Sequence, residues 1–132
     1  MKLRNLIGDD RNVTEFNYRF NSNGSFLANV YCAFEIENTD QIITMVEKLS
    51  RAGFPCINLT DNEVAKMHVR HLVGGRVPDN GVREKILRFE FPEIPGASLN
   101  FLTKLHENGD FNISLFHYRS HGSDIGRVLC GF

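Results

Sequence analysis

The 132-residue sequence has no tryptophan, only four prolines and only three cysteines. It carries no excess of either charge, with a formal net charge of -1 at pH 7. No apolar run approaches the ~20 residues that span a bilayer. Each shortage excludes something. Cys32, Cys56 and Cys130 each sit inside an apolar run, at spacings that do not read as a disulfide framework, so they are expected as buried, reduced thiols. Near-neutral charge with both signs scattered along the chain leaves no electrostatic footprint for nucleic acid or an anionic membrane. The opening residues, Met1 to Gly8, are too short and too polar for a secretory signal. The expectation is a soluble intracellular domain. What the chain does have is core material: 42% hydrophobic residues, 11 of them phenylalanine. That supports a sizeable core and argues against disorder.

Periodicity then divides the chain. Leu3, Leu6 and Ile7 lie at helical spacing and stop at Gly8. Val13 to Phe20 alternates with period two, a strand; Asn21 to Gly24 is a hairpin turn, and Ser25 to Ile36 is a second strand. Thr39 is the expected N-cap of a helix that carries an Ile42, Ile43, Val46 and Leu49 stripe and ends at Gly53. A short strand is expected at Phe54 to Leu59, then helical character to Leu72 and a glycine-rich connector to Gly81. Glu84 to Phe91 alternates again. A Pro95-Gly96 turn leads to a helix marked by Leu99, Phe101, Leu102 and Leu105. Strands are expected at Phe111 to Tyr118 and Arg127 to Phe132, with a loop between.

One stretch occurs twice. Asn12 to Arg19 (NVTEFNYR) aligns with Asn112 to Arg119 (NISLFHYR), sharing the Asn, Phe, Tyr and Arg positions with Val–Ile and Thr–Ser exchanges. Val30 to Phe34 likewise aligns with Val128 to Phe132. A repeat is read before a fold is named, because it sets the architecture. Merging the copies gives strand, helix, strand, strand, helix, strand. The expected fold class is therefore α+β: a ferredoxin-like βαββαβ sandwich, present as two partial tandem repeats with an antiparallel sheet and helices on one face. The expected division is 1–60 for a first unit lacking its opening strand and most of its first helix, 61–82 for a connector, and 83–132 for a second unit lacking its closing helix and strand. The sequence is thus expected to be a fragment whose half-units complete each other or swap elements with a second chain.

The stretches VTEFNYRF (Val13 to Phe20), AKMHVRHLVGGR (Ala65 to Arg76), FEFPEIPGA (Phe89 to Ala97) and NISLFHYRSHGSDIGRVL (Asn112 to Leu129) resemble biosynthetic threonine dehydratase, also called threonine ammonia-lyase. The resemblance covers nearly the whole chain and falls on the C-terminal regulatory region of that family, built of two ACT-like units. It implies allosteric control of isoleucine biosynthesis, with isoleucine as feedback inhibitor and valine as a counteracting activator. It implies pyridoxal phosphate in a separate catalytic domain, and no cofactor and no catalysis in this stretch. It implies a homo-oligomer or element-swapped dimer and contact with the protein's own catalytic domain. The location it implies is cytoplasmic, or organellar in a eukaryote.

An amino-acid effector needs a donor for its carboxylate, acceptors for its ammonium and an apolar pocket for its side chain. Tyr18 and Tyr118 occupy equivalent repeat positions, and the resemblance ties both to effector response. The plain alternative is a core tyrosine with its hydroxyl at the rim. Leu99, Leu102 and Leu105 form a core stripe that the resemblance also ties to isoleucine sensitivity, and Ser98 stands where relatives often carry leucine. Arg11 matches a family arginine suited to the effector carboxylate, with a solvated loop arginine as the alternative. Arg19 and Arg119, on the opposite strand face, read as structural. His68 with His71 and His117 with His121 lack the cysteine or carboxylate that would complete a metal site, so none is expected. Nucleic-acid binding on the sheet is disfavoured by neutral charge and by the missing aromatic–glycine motif. The remaining alternative is an ACT-like assembly module that holds subunits together without a ligand.

Overall fold

A computed structural model describes residues 6–8, 11–20, 28–72, 84–94, 96–107, 109 and 112–132; within these, the side chains of His71, Leu72, Leu99 and His106 lie outside the description. Its elements are β1 (Val13–Arg19), β2 (Val30–Phe34), α1 (Asp40–Arg51), α2 (Glu63–Leu72), β3 (Ile86–Pro92), α3 (Ala97–Glu107), β4 (Leu115–Arg119) and β5 (Ile125–Gly131). The strands form one five-stranded sheet in the order β2-β1-β4-β5-β3, every neighbouring pair antiparallel. This is an α+β fold of the expected class.

The two repeat copies meet at the centre of that sheet. β1 pairs with β4 so that Asn17 lies opposite His117, its own repeat equivalent. Phe16 then faces Tyr118, and Tyr18 faces Phe116. These are two copies of one cross-strand contact, so a local two-fold passes between Asn17 and His117. A shift of one residue would turn every side chain of β1 to the other face and break the pairing.

Side chains alternate across the sheet. One face carries Phe16, Tyr18, Phe116, Tyr118, Val128 and Cys130. The last four of these are the buried heart of the core, with α3 packing Phe101, Leu102 and Leu105 against them. Aromatic rings tie this layer together: Phe16 and Phe116 meet edge to face at 5.6 Å, and Phe91 stacks on Phe101 at 5.7 Å and on Tyr118 at 6.1 Å. A bulge between Val13 and Glu15 shifts the β1 register, so Val13 joins Ile7, Phe16, Cys32 and Phe34 in a smaller cluster.

The other face carries charge. Glu15 accepts from Arg70 of α2 at 2.9 Å and from the Asn17 amide at 3.0 Å. The same guanidinium lies over the ring of Tyr31, 5.8 Å from its centroid. Arg19 donates both of its terminal nitrogens to Glu84, at 2.9 and 3.0 Å. The arginines of the repeat are indeed on the face opposite the tyrosines.

Several local expectations are corrected. Thr39 is in helical conformation and makes no side-chain cap; the cap-like bond runs from the Gln41 N–H to Asn38 Oδ1 at 3.2 Å. Phe54 to Leu59 forms no strand, because no neighbouring strand offers it a ladder, and Ile57 stays exposed. Cys56, in the same stretch, is exposed rather than buried, whereas Cys130 is buried and Cys32 partly so. Of the strand expected at Ser25 to Ile36, the described residues form Val30–Phe34; Asn21 to Leu27 and the Val73 to Val82 part of the connector lie outside the described residues. β4 begins at Leu115 and β5 already at Ile125, so the intervening loop is shorter than expected.

Candidate functional site

β4 and α3 bring four of the expected site residues to one place. β4 presents Tyr118 inward, 1% exposed, because its neighbours in the chain, His117 and Arg119, take the solvent side of the strand. α3 starts just past the Pro92–Gly96 stretch and sets buried Ser98 beside the Tyr118 hydroxyl, with Leu102 and Leu105 packed against the same cluster. Leu99 belongs to this helix, but its side chain lies outside the described residues.

The Tyr118 hydroxyl donates to Glu93 Oε1, on the turn between β3 and α3. Burial raises the pKa of this phenol, and the neighbouring carboxylate raises it further, since a phenolate there would face a like charge. The Ser98 and Ser120 hydroxyls act in the opposite direction. Glu93 was not singled out by the sequence reading. The signal that could have found it is its place in the FEFPEIPGA turn, where β3 hands over to α3. Gly126 makes room for it: a β-carbon there would come within 2.6 Å of the Phe91 ring and 2.7 Å of Glu93 Oε2.

Tyr18 lies two residues away from Tyr118 along the shared face, diagonal to it across the β1–β4 pairing. It is partly buried, which raises its phenol, and among the described residues its hydroxyl has no side-chain hydrogen-bond partner. Tyr18 therefore borders the cluster without sharing its polar centre.

Arg11 stands apart. It donates to Gln41 Oε1 at 3.2 Å and lies over the Phe34 ring, 6.0 Å from its centroid. With Ile7, Asp40, Thr44, Met45 and Lys48 it lines a cleft of about 390 Å³ between α1 and the residues that precede β1. The structure thus groups Tyr118, Ser98, Leu102 and Leu105, sets Tyr18 at their margin, and places Arg11 in a different cleft.

Among the described residues no group of three or more His, Cys, Asp or Glu side chains could hold a metal, and no helix is long and apolar enough to cross a membrane.

One antiparallel sheet, built from two copies of a unit about a local two-fold and covered by helices, has the architecture of an ACT-like domain. Comparison with known proteins makes the class specific. The family described as the C-terminal regulatory domain of threonine dehydratase matches residues 2–69 and 75–132. The chain is 46% identical, over all of its length, to the L-threonine dehydratase biosynthetic IlvA of Escherichia coli. It is 44% identical over 98% of its length to the mitochondrial threonine dehydratase of Saccharomyces cerevisiae, and 41% identical over 98% to the chloroplastic threonine dehydratase 1 of Solanum lycopersicum. The chain belongs to the threonine dehydratase C-terminal regulatory domain family. It spans 25%, 23% and 20% of those three relatives.

Proposed function

We propose that this domain binds isoleucine as a feedback inhibitor, and valine as a counteracting effector, of a threonine ammonia-lyase in isoleucine biosynthesis. The observation that carries the reading is the meeting of Tyr118, Ser98, Leu102 and Leu105, a phenol and a small hydroxyl beside a branched apolar wall. Such a wall suits a sec-butyl or isopropyl side chain, and the hydroxyls suit the polar end of an amino acid. Tyr18 extends the same surface, and Leu99 lies on the same helix.

Tyr118 is 1% exposed, so a ligand reaches its hydroxyl only if the surrounding packing rearranges. Binding is thereby linked to a conformational change, which an allosteric domain requires: the effector favours one arrangement over the other by its difference in affinity. The partner that reads the change is the enzyme's own catalytic domain. The catalytic chemistry of such an enzyme belongs to pyridoxal phosphate, which needs a lysine beside a phosphate-cradling loop. Of the four described lysines, Lys48 donates to the Leu6 carbonyl and Lys66 to Thr60 and Glu63, while Gly74 and Gly75 lie outside the described residues, so no lysine-and-glycine-loop pairing for that group is present among the described residues.

Thermal unfolding of the 132-residue chain, followed by circular dichroism with and without isoleucine, tests the proposal. Ligand at a hundred times its dissociation constant stabilises by about 2.7 kcal/mol. Isoleucine and valine should raise the midpoint, leucine less, and threonine not at all. The other reading is an assembly module, an oligomer formed without a ligand. It is favoured by the edge strand β3, whose Ile86 and Leu87 are each 51% exposed. A midpoint that rises with protein concentration, and with no amino acid, would select it.

A further inference from the structure

Three described carboxylates are buried or half-buried: Glu15, Glu84 and Glu93. Glu15 is paired with Arg70 at 2.9 Å, and Glu84 with Arg19 at 2.9 Å. Glu93 has no cation among the described residues. Its one side-chain partner among them is the neutral Tyr118 hydroxyl on Oε1. Its second oxygen rests against the backbone at Gly126, where a β-carbon would be 2.7 Å away. The flanking groups are the Phe91 and Tyr118 rings, which stack on each other with centroids 6.1 Å apart. Among the described residues, then, this half-buried carboxylate sits among aromatic rings and hydroxyls with no counter-charge, the position an incoming cation would fill. A carboxylate has about four acceptor positions, so three remain beside the one that Tyr118 uses.

We propose that Glu93 is the acceptor for the ammonium group of an α-amino-acid effector, which enters beside Tyr118 and supplies the counter-charge. The assignment rests on the effector-binding reading given above and names the residue that selects an amino acid over its uncharged relatives. The Tyr118 hydroxyl holds the carboxylate in place, and Gly126 leaves the room for it. Selection then comes from the charge-assisted bond and not from the apolar wall, which a deaminated analogue would fill equally well. Glu93 is therefore a specificity-determining residue, and Tyr118 positions it.

The test compares isoleucine with 3-methylpentanoic acid, its deaminated analogue, by calorimetric titration of the wild-type chain and of Glu93→Gln. The wild type should prefer isoleucine, and Glu93→Gln should weaken isoleucine about tenfold or more while leaving the analogue unchanged. If Glu93→Gln keeps the wild-type preference, the assignment of Glu93 is overturned and the effector reading stands. If the wild type binds neither compound, both fall. Should Glu93→Gln fail to fold, Glu93→Asp carries the test, because it keeps the charge and withdraws it by one methylene. Isoleucine alone should then weaken several-fold, and equal weakening of both compounds would overturn the proposal.

Discussion

Residues that the repeat makes equivalent have been given different surroundings, and the difference reverses from one face of the sheet to the other. On the aromatic face the second unit is closed: Phe116 and Tyr118 are almost wholly buried under α3, while Phe16 and Tyr18 stay partly exposed. On the charged face the first unit is closed. Arg19 is 7% exposed and paired with Glu84, whereas the side chain of Arg119 is 48% exposed and only 3.8 Å from Glu15. Two near-identical strands are thus turned to different uses by the elements laid over them. α3 makes the second unit's aromatic face a closed polar-centred cluster. On the first unit's charged face, α2 reaches in with Arg70, and Glu84 arrives from the stretch just before β3, fixing the connector to the dyad strands.

The comparison breaks most visibly in the phenylalanines. Phe116→Ala should cost about 3–5 kcal/mol, the range for a fully buried aromatic, and Phe16→Ala about half of that. Urea denaturation of both variants measures it, and equal losses would mean that both units are equally closed. The arginines should show the opposite order. Arg19→Met leaves the half-buried Glu84 with the Ser114 hydroxyl but without its cation and should cost about 2–3 kcal/mol, while Arg119→Met should cost less than about 1 kcal/mol.

Acidity sharpens the same contrast. Burial pushes the Glu84 carboxyl up, but the Ser114 hydroxyl and the Arg19 guanidinium pull it down and prevail, so it lies below the ordinary carboxylate range. A depressed folded-state value contributes stability above the unfolded value of about 4.3 and loses it as pH falls through the folded value. Stability should therefore drop below about pH 5 in the wild type, and more steeply than in Glu84→Gln. Parallel curves for the two proteins would remove Glu84 from the acid transition.

The strands, the α1 and α3 helices and the repeat were legible because period two and period 3.6 are written directly in the apolar residues. The tyrosine and arginine faces followed from the same alternation. What was not legible required partners distant in sequence. Phe54 to Leu59 has the composition of a strand but no ladder to join, and Cys56 is exposed with it. The bulge that turns Val13 toward Ile7 leaves no mark in the alternation. Thr39 and Asn38 are both good capping residues, and only backbone angles choose between them. Of the site, the repeat singled out the tyrosines, and the family resemblance supplied Ser98 and the leucines. Glu93 escaped because a lone glutamate in a turn carries no pattern; its interest comes from the absence of a cation around it among the described residues.

The tyrosines give a smaller effect with a clear direction. Tyr118→Phe removes a side-chain donor to the Glu93 carboxylate and should cost about 1–2 kcal/mol, whereas Tyr18→Phe should stay within about 0.5 kcal/mol. Equal costs would mean that the Tyr118 hydroxyl contributes nothing through Glu93.

The thiols test the comparison without changing stability. Cys32 and Cys130 are repeat equivalents, and burial pushes both up to about 12. At pH 8 such a thiol is ionised on the order of one part in ten thousand, and it is the thiolate that reacts. Cys56 is exposed, its sulfur 3.9 Å from the Val46 carbonyl. A maleimide added to the native chain should therefore mark Cys56 first, Cys32 slowly and Cys130 slowest of all, and mass spectrometry of peptides gives the order. All three should react together once the chain is denatured. If Cys130 reacted natively as fast as Cys56, the second unit would be opening at α3, and its closed aromatic face would be the more mobile of the two.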